Sequence, residues 1–352
     1  MNHFTPFLLP LGLLYGTATA IRNLLFDTKI LPSKKFNVPV ISVGNLTTGG
    51  TGKTPHVEYL IRLLKKDYNI ATVSRGYKRK TSGFVLGDSN SDYRQLGDEP
   101  AQFIRKFPDI TVAVDESRVR GIKSILKIKP KTNLFLLDDA YQHRYVSAGL
   151  KILLTDYRNL YTRNYPLPAG NLREFRCGSN RADIIIVTKT DKVLPSMLRQ
   201  HLVEEIKPKR HQRLYFSYIS YGQLTPLTDA AKNTAIDKST NILLIAGIAN
   251  PYPLEEHIRK TTDKLETILF PDHYQYRLSD IHSIQNRFND IFSKKKIIVT
   301  TEKDAMRLSD PTLKDLLNKL PVFYIPIEIA FHNSDKEKFD EDIRDYINRS
   351  IK

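Results

Sequence analysis

Cysteine is almost absent from this chain. Cys177 is the only one in 352 residues, which excludes an internal disulfide and suits a reducing compartment. Acidic residues are scarce beside basic ones. The 38 Asp and Glu face 54 Lys and Arg, for a net charge of +16 and a pI near 9.6. That balance points to an anionic partner, whether nucleic acid, an acidic membrane face or phosphorylated ligands, and does not choose among them. No internal repeat or low-complexity tract is evident, and the length leaves room for two domains or one elaborated one.

Charge is missing altogether from Phe4 to Ile21, where Phe7, Leu8, Leu9, Leu11, Leu13 and Leu14 make the chain densely apolar. No Lys or Arg precedes this run, which argues against a secretory signal although Ala18-Thr19-Ala20 resembles a cleavage site. Pro6, Pro10, Gly12, Gly16 and three threonines weaken a transmembrane reading. The segment fits better as an apolar helix lying in or on a bilayer face, with Arg22, Lys29, Lys34 and Lys35 at the headgroups. A helix packed on the protein's own core is the plain alternative.

What is present begins with Val38–Leu64. Val40-Ile41-Ser42-Val43 reads as a buried strand, and Val57, Leu60, Ile61 and Leu64 recur as on one face of a helix. Between them Gly49, Gly50 and Gly52 let successive N–H groups turn inward, a nest that binds phosphate at a helix N-terminus. Lys53 can reach the outer phosphates and the Thr54 hydroxyl can hold Mg²⁺. Asn45, Thr47, Thr48, Gly49, Gly50, Thr51, Gly52, Lys53 and Thr54 are therefore the expected nucleotide loop, although the first glycine of the G-x-x-x-x-G-K-[ST] pattern falls on Thr47.

Downstream, Asn133–Asp139 is an apolar strand delivering two carboxylates, Asp138 and Asp139, to its C-terminal edge, where α/β sheets bind ligands. Gly97-Asp98-Glu99-Pro100 opens a helix; acids there are ordinary dipole complements on their own. Between Arg158 and Arg181 five arginines meet one acid, Glu174, in an irregular stretch suited to clamping anions. Lys189-Thr190-Asp191 resembles the base-reading turn of GTPases. A second α/β series follows Leu214–Ile219, and His273 sits at the end of one of its strands. The expectation is a P-loop NTPase-like, mostly parallel sheet flanked by helices, with a second, smaller α/β domain joined by a two-stranded crossing. In residues, this means an apolar segment at 1–35, a P-loop phosphate-binding domain at 36–213 with 330–352 returning to it, crossing strands at 214–219 and 321–329, and the smaller domain at 220–320.

Taken together, SVGNLTTGGTGKTP, SRGY, GDEP, LDDAYQHR, PAGNLRE, VTKTD, FPDHY and TTEKDA resemble the tetraacyldisaccharide 4'-kinase (lipid A 4'-kinase) family, in its order from about Ser42 to Ala305. The resemblance implies transfer of the ATP γ-phosphoryl to the 4'-hydroxyl of a tetraacyldisaccharide 1-phosphate at the cytoplasmic face of the inner membrane. It implies no nucleic-acid and no obligate protein partner. It also implies a peripheral or monotopic association of the apolar N-terminus with the anionic membrane surface. Residue by residue, it makes Lys53 and Thr54 the phosphate-loop pair, Asp98 the general base beside Glu99, and His273 the base's partner. It makes Asp138 and Asp139 the Walker-B acids and Gln142 a metal-shell residue, and it places Arg75, Arg173 and Glu174 in substrate-facing segments. The family also lacks the first consensus glycine. The rival is a partition-type P-loop ATPase acting on DNA or membrane, whose signature upstream lysine would fall on Thr48 here.

Overall fold

The computed structural model describes residues 5–232, 234–262, 264–272 and 274–351. Two compact units emerge, Met1–Ile219 with Ile329–Lys352 and, between them in sequence, Ser220–Glu328. The first runs α1 (Leu9–Asp27), β1 (Val40–Asn45), α2 (Lys53–Leu64), β2 (Ile70–Ser74), β3 (Val85–Leu86), α3 (Tyr93–Leu96), α4 (Asp98–Lys106) and β4 (Thr111–Val114). It continues through α5 (Arg118–Ile128), β5 (Leu134–Asp138), β6 (Leu150–Asp156), β7 (Ile184–Thr188), α6 (Ser196–Ile206) and β8 (Arg213–Tyr221). The second holds β9 (Thr225–Pro226), β10 (Asn241–Ala246), α7 (Tyr252–Arg259), β11 (Leu265–Leu269), α8 (Leu278–Asp290), β12 (Lys296–Thr301), α9 (Glu302–Leu308), α10 (Pro311–Leu317) and β13 (Val322–Ile325). Then β14 (Ile327–Phe331) and α11 (Asp335–Ile351) return to the first unit.

Among the described residues the first unit forms a nine-stranded sheet in the order β14-β8-β7-β6-β1-β5-β2-β4-β3. β1 lies in its middle, parallel to β5 and to β6, with Val43 opposite Asp138. Every residue of β1, β2, β5 and β7 is buried, as expected of strands covered on both faces. Ile41, Val43, Leu134 and Leu136 pack with Val57, Leu60, Ile61 and Leu64 of α2 and with Phe339, Ile343 and Ile347 of α11. The alternate positions Val40, Phe135 and Leu137 join Ile122 and Ile125 of α5 in a second core cluster.

The smaller unit carries its own five-stranded sheet, β11-β10-β12-β13-β9, parallel apart from the short β9, and its own cores around Ile245, Ile281, Ile298 and Phe288 and around Leu244, Ile258 and Val299. One expected crossing strand is split. Val322–Ile325 pairs within the smaller sheet, and the strand that joins the larger sheet begins only at Ile327. Pro326 lies at the break, where a residue without an N–H cannot continue a ladder. The stretch Lys78–Tyr93, expected as a surface excursion, contributes the two-residue edge strand β3, antiparallel to β4.

Helix α1 rests on the arginine loop through its glycines. A Cβ on Gly12 would lie 2.9 Å from Ala169 and from the Pro166 carbonyl, and one on Gly16 would lie 2.5 Å from the Phe175 ring. Its other face is bare: Phe7, just before the helix, is 93% exposed and Leu14 69%, with Leu11, Ile21 and Leu24 more than half exposed. Pro6–Asp27 is long and apolar enough to cross a membrane.

Candidate active site

β1 ends at the buried Asn45 and α2 starts at Lys53, so the intervening turn is held at the C-terminal edge of the central strand. Gly49 and Gly52 adopt φ of +108° and +87°, conformations that favour glycine. Gly52 caps α2 without any side-chain bond, which leaves the first-turn amides for an anion. The turn is fixed from below. The Thr188 hydroxyl donates to the Thr51 carbonyl at 2.9 Å, and the Thr48 N–H donates to the Asn171 carbonyl at 2.7 Å. His56 Nδ1 donates to the Gly52 carbonyl at 2.7 Å, which leaves Nε2 to accept from Ser217 Oγ at 3.0 Å. Burial lowers the pKa of this imidazole to about 4, so the ring is neutral.

The β5 carboxylates differ sharply. Asp138 is 4% exposed, and its Oδ1 accepts no hydrogen bond among the described residues. Burial, followed by the charges of Asp139 and Glu99, raises its pKa to about 7. Asp139 stands at φ +47° and meets Lys53 Nζ at 3.6 Å and Arg173 Nη1 at 2.9 Å. Burial pushes its pKa up, but Lys53, Arg173 and Arg118 outweigh this and hold it below the ordinary carboxylate range. The Arg173 N–H also donates to the Leu46 carbonyl at 2.7 Å, which docks the arginine loop onto the phosphate turn.

Among the described residues no three His, Cys, Asp or Glu side chains gather into a metal cage. Mg²⁺ does not need one, since it is commonly held by one or two carboxylates with water and substrate phosphates. The partnerless oxygen of Asp138, beside a second acid, fits such an ion.

The GDEP helix is tethered to the phosphate helix by a buried acid, Glu58 of α2. It accepts from Gln102 at 2.7 Å and from Lys106 at 2.7 Å, both on α4. Asp98 and Glu99 form the first turn of α4 and are half-buried; the Glu99 charge is felt at Asp138. Gly97, at φ +93°, lies against Gly76 and the Tyr77 carbonyl, bringing the SRGY turn to the same edge, where Arg75 is exposed.

Gln142 donates to the Asn45 carbonyl at 2.8 Å and to Glu174 at 3.1 Å. Glu174 is 2% exposed and also accepts from Asn23 of α1 at 2.6 Å and from Arg181 at 2.8 Å, so it is engaged within the fold. His273 lies outside the described residues. Sequence reasoning did not single out Arg118, Glu58 or His143. Arg118 is buried, with its guanidinium 3.5 Å from the Asp139 carbonyl. A cation in a helix's first turn opposes the dipole, a signal that it serves something other than the helix. In His143, Nε2 is buried without a partner among the described residues, and burial with Arg118 and Arg22 nearby lowers its pKa to about 4.

A family model described as tetraacyldisaccharide-1-P 4'-kinase matches residues 4–348. A tetraacyldisaccharide 4'-kinase of Flavobacterium johnsoniae is 47% identical over 351 residues, covering 100% of this chain and 99% of that protein. One of Parabacteroides distasonis is 45% identical over 361 residues, covering 99% and 96%. Among solved structures, LpxK from Aquifex aeolicus in complex with ATP is similar with a TM-score of 0.71 at 28% identity, covering 97% of this chain and 98% of that one.

Proposed function

Because this chain belongs to the tetraacyldisaccharide-1-P 4'-kinase family, and is thus an ATP-dependent phosphotransferase of lipid A biosynthesis acting on an alcohol, we propose the following roles for its residues. The amides of Gly49, Gly50 and Gly52 and the first turn of α2 take the nucleotide phosphates, and Lys53 leaves Asp139 to neutralise the transferring group. Thr54 and Asp138 hold Mg²⁺, with Asp139 and Gln142 beside them; the ion, when bound, supplies further charge neutralisation. Asp98 accepts the proton of the 4'-hydroxyl as its oxygen bonds to the γ-phosphorus and the bond to ADP breaks. Arg75, Arg173 and Arg118 face the anionic groups, Glu99 keeps Asp138 protonatable, and Glu174 positions Arg173.

The observation that carries this reading is the Lys53–Asp139–Arg173 cluster beside Asp138, whose buried Oδ1 accepts no hydrogen bond among the described residues, at the mouth of a glycine-lined turn. The acceptor is a lipid disaccharide, and we place the reaction at the cytoplasmic face of the inner membrane, with the bare side of α1 in the bilayer. No observation favours the DNA-partition reading.

The test is transfer of label from γ-labelled ATP to a tetraacyldisaccharide 1-phosphate in detergent. Lys53→Ala should cost about 10²–10³-fold in turnover. Asp98→Ala should cost about 10²–10⁴-fold while leaving ATP affinity in place. Equal loss of ATP binding and turnover in Asp98→Ala would make that residue a helix cap and nothing more.

A further inference from the structure

We propose that His56 and Thr188 are positioning residues of the phosphate turn: they hold the Gly52 and Thr51 carbonyls inward and so aim the Lys53 and Gly52 N–H groups at the nucleotide phosphates. This rests on the reading above that the turn takes those phosphates. The physical reason lies in the peptide group, which is planar and trans, so that its C=O and N–H point in opposite directions. The Gly52 carbonyl shares one such group with the Lys53 N–H, and the Thr51 carbonyl shares the preceding one with the Gly52 N–H. Pinning either carbonyl therefore points the amide that follows it.

Both carbonyls are pinned from inside the fold. The Gly52 carbonyl accepts from His56 Nδ1 at 2.7 Å in addition to the His56 backbone N–H at 3.2 Å. The Thr51 carbonyl accepts at 2.9 Å from the hydroxyl of Thr188, the last residue of β7. Thr51, His56 and Thr188 are all buried, so water does not compete for these bonds. On the outer side, among the described residues, neither the Gly52 nor the Lys53 N–H donates to a protein acceptor. His56 is itself held in place. Ser217 Oγ donates to its Nε2 at 3.0 Å, which keeps the ring proton on Nδ1, and the ring meets Phe331 edge-on. Ser217 is fixed in turn, since its carbonyl accepts from the Thr190 N–H and from the Thr190 hydroxyl, each at 3.1 Å. Because the imidazole is neutral, it brings a donor to the first turn of α2 without a charge that opposes the helix dipole.

The experiment separates this role from plain packing. ATP affinity in the presence of Mg²⁺ is measured by calorimetry on the full chain, together with KM for ATP, KM for the acceptor and a thermal melt. His56→Leu keeps the bulk and removes the donor, whereas His56→Asn places an amide N–H close to where Nδ1 stands. Thr188→Val keeps the shape and removes the hydroxyl, which Thr188→Ser retains. His56→Leu and Thr188→Val should each weaken ATP about tenfold, the effect of mis-aiming one hydrogen bond to a charged group. KM for ATP should rise with it while KM for the acceptor stays in place. His56→Asn and Thr188→Ser should recover most of the affinity.

A lower melting temperature in His56→Leu and Thr188→Val with ATP affinity unchanged would make both residues packing elements and overturn the proposal. An equal loss of affinity in His56→Asn and Thr188→Ser would overturn it as well. Thr188→Val carries the test if His56→Leu does not fold, since threonine and valine differ only by a hydroxyl in place of a methyl. A wild-type protein that binds no ATP would instead bring down the reading of the turn as a nucleotide site, and these two roles with it.

Discussion

Asp138 and Asp139 are neighbours in sequence with opposite electrostatic surroundings, and that contrast makes a pH-dependent prediction. The raised pKa means that the folded protein keeps a proton on Asp138 between about 4 and about 7, where the unfolded chain has released it. The sign follows: Asp138 lowers stability progressively as pH rises from its unfolded value of 3.8 to about 7. A cation needs the ionised form, so apparent Mg²⁺ affinity should rise by up to about tenfold per pH unit below 7 and level off above it. Mg²⁺ titrations of turnover at several pH values check this, and Asp138→Asn should flatten the dependence along with weakening the metal. A flat wild-type profile would mean that Asp138 is not the ligand. At this scale the sequence spoke through motif spacing. Lys53, Thr54, Asp138 and Asp139 were legible because a strand, a glycine turn and a helix leave a local signature. Arg118, His143 and Glu58 were not, because their significance comes from what the fold brings to them across twenty to fifty residues, such as Asp139 for Arg118 and Lys106 for Glu58.

Helix α1 shows how a single element can carry a packed face and a bare one. Gly12 and Gly16 make one side thin enough for Ala169 and Phe175 to press against the backbone, while Leu11 and Leu14 stay in the open. Its apolar composition therefore reported both a packed face and a bare one, and only the position of the glycines distinguishes them. Replacing Leu11 and Leu14 together by Glu should release the protein from lipid vesicles, as judged by co-sedimentation, with circular dichroism unchanged. Substitution is cleaner than truncation, because removal of α1 would also uncover Phe175 and strip Asn23 from Glu174. Continued sedimentation of the double variant would place the membrane contact elsewhere. The strands were the most legible elements: NLFLLDD and DIIIVT are unbroken apolar runs, and they became β5 and β7. Val322–Ile329 was legible as extended chain but not as two strands, since hydropathy does not tell which sheet a residue joins, and Pro326 alone marked the division.

Over the whole molecule, the surplus of 16 positive charges would add to the apolar helix in the proposed membrane contact. Attraction to an anionic surface is screened as the Debye length falls from ~10 Å at 0.1 M salt to ~3 Å at 1 M, whereas apolar insertion is not. Binding to anionic vesicles should thus weaken across that range and reach a plateau above zero, the plateau being lost in the Leu11/Leu14 double variant. Complete release by salt alone would assign membrane binding to charge only. The two-part organisation was readable from the restart of strand–helix alternation after Leu214–Ile219, and each part proves to have its own sheet and core. Glu174 then acquires a meaning that no motif conveys. Its carboxylate is a brace shared by Asn23 on α1, Gln142 after β5, and Arg181, while its chain neighbour grips Asp139. If α1 seats in lipid as proposed, the same carboxylate ties that seat to the segment carrying Arg173, and an enzyme lifted from its bilayer should be slow even toward an acceptor dissolved in water.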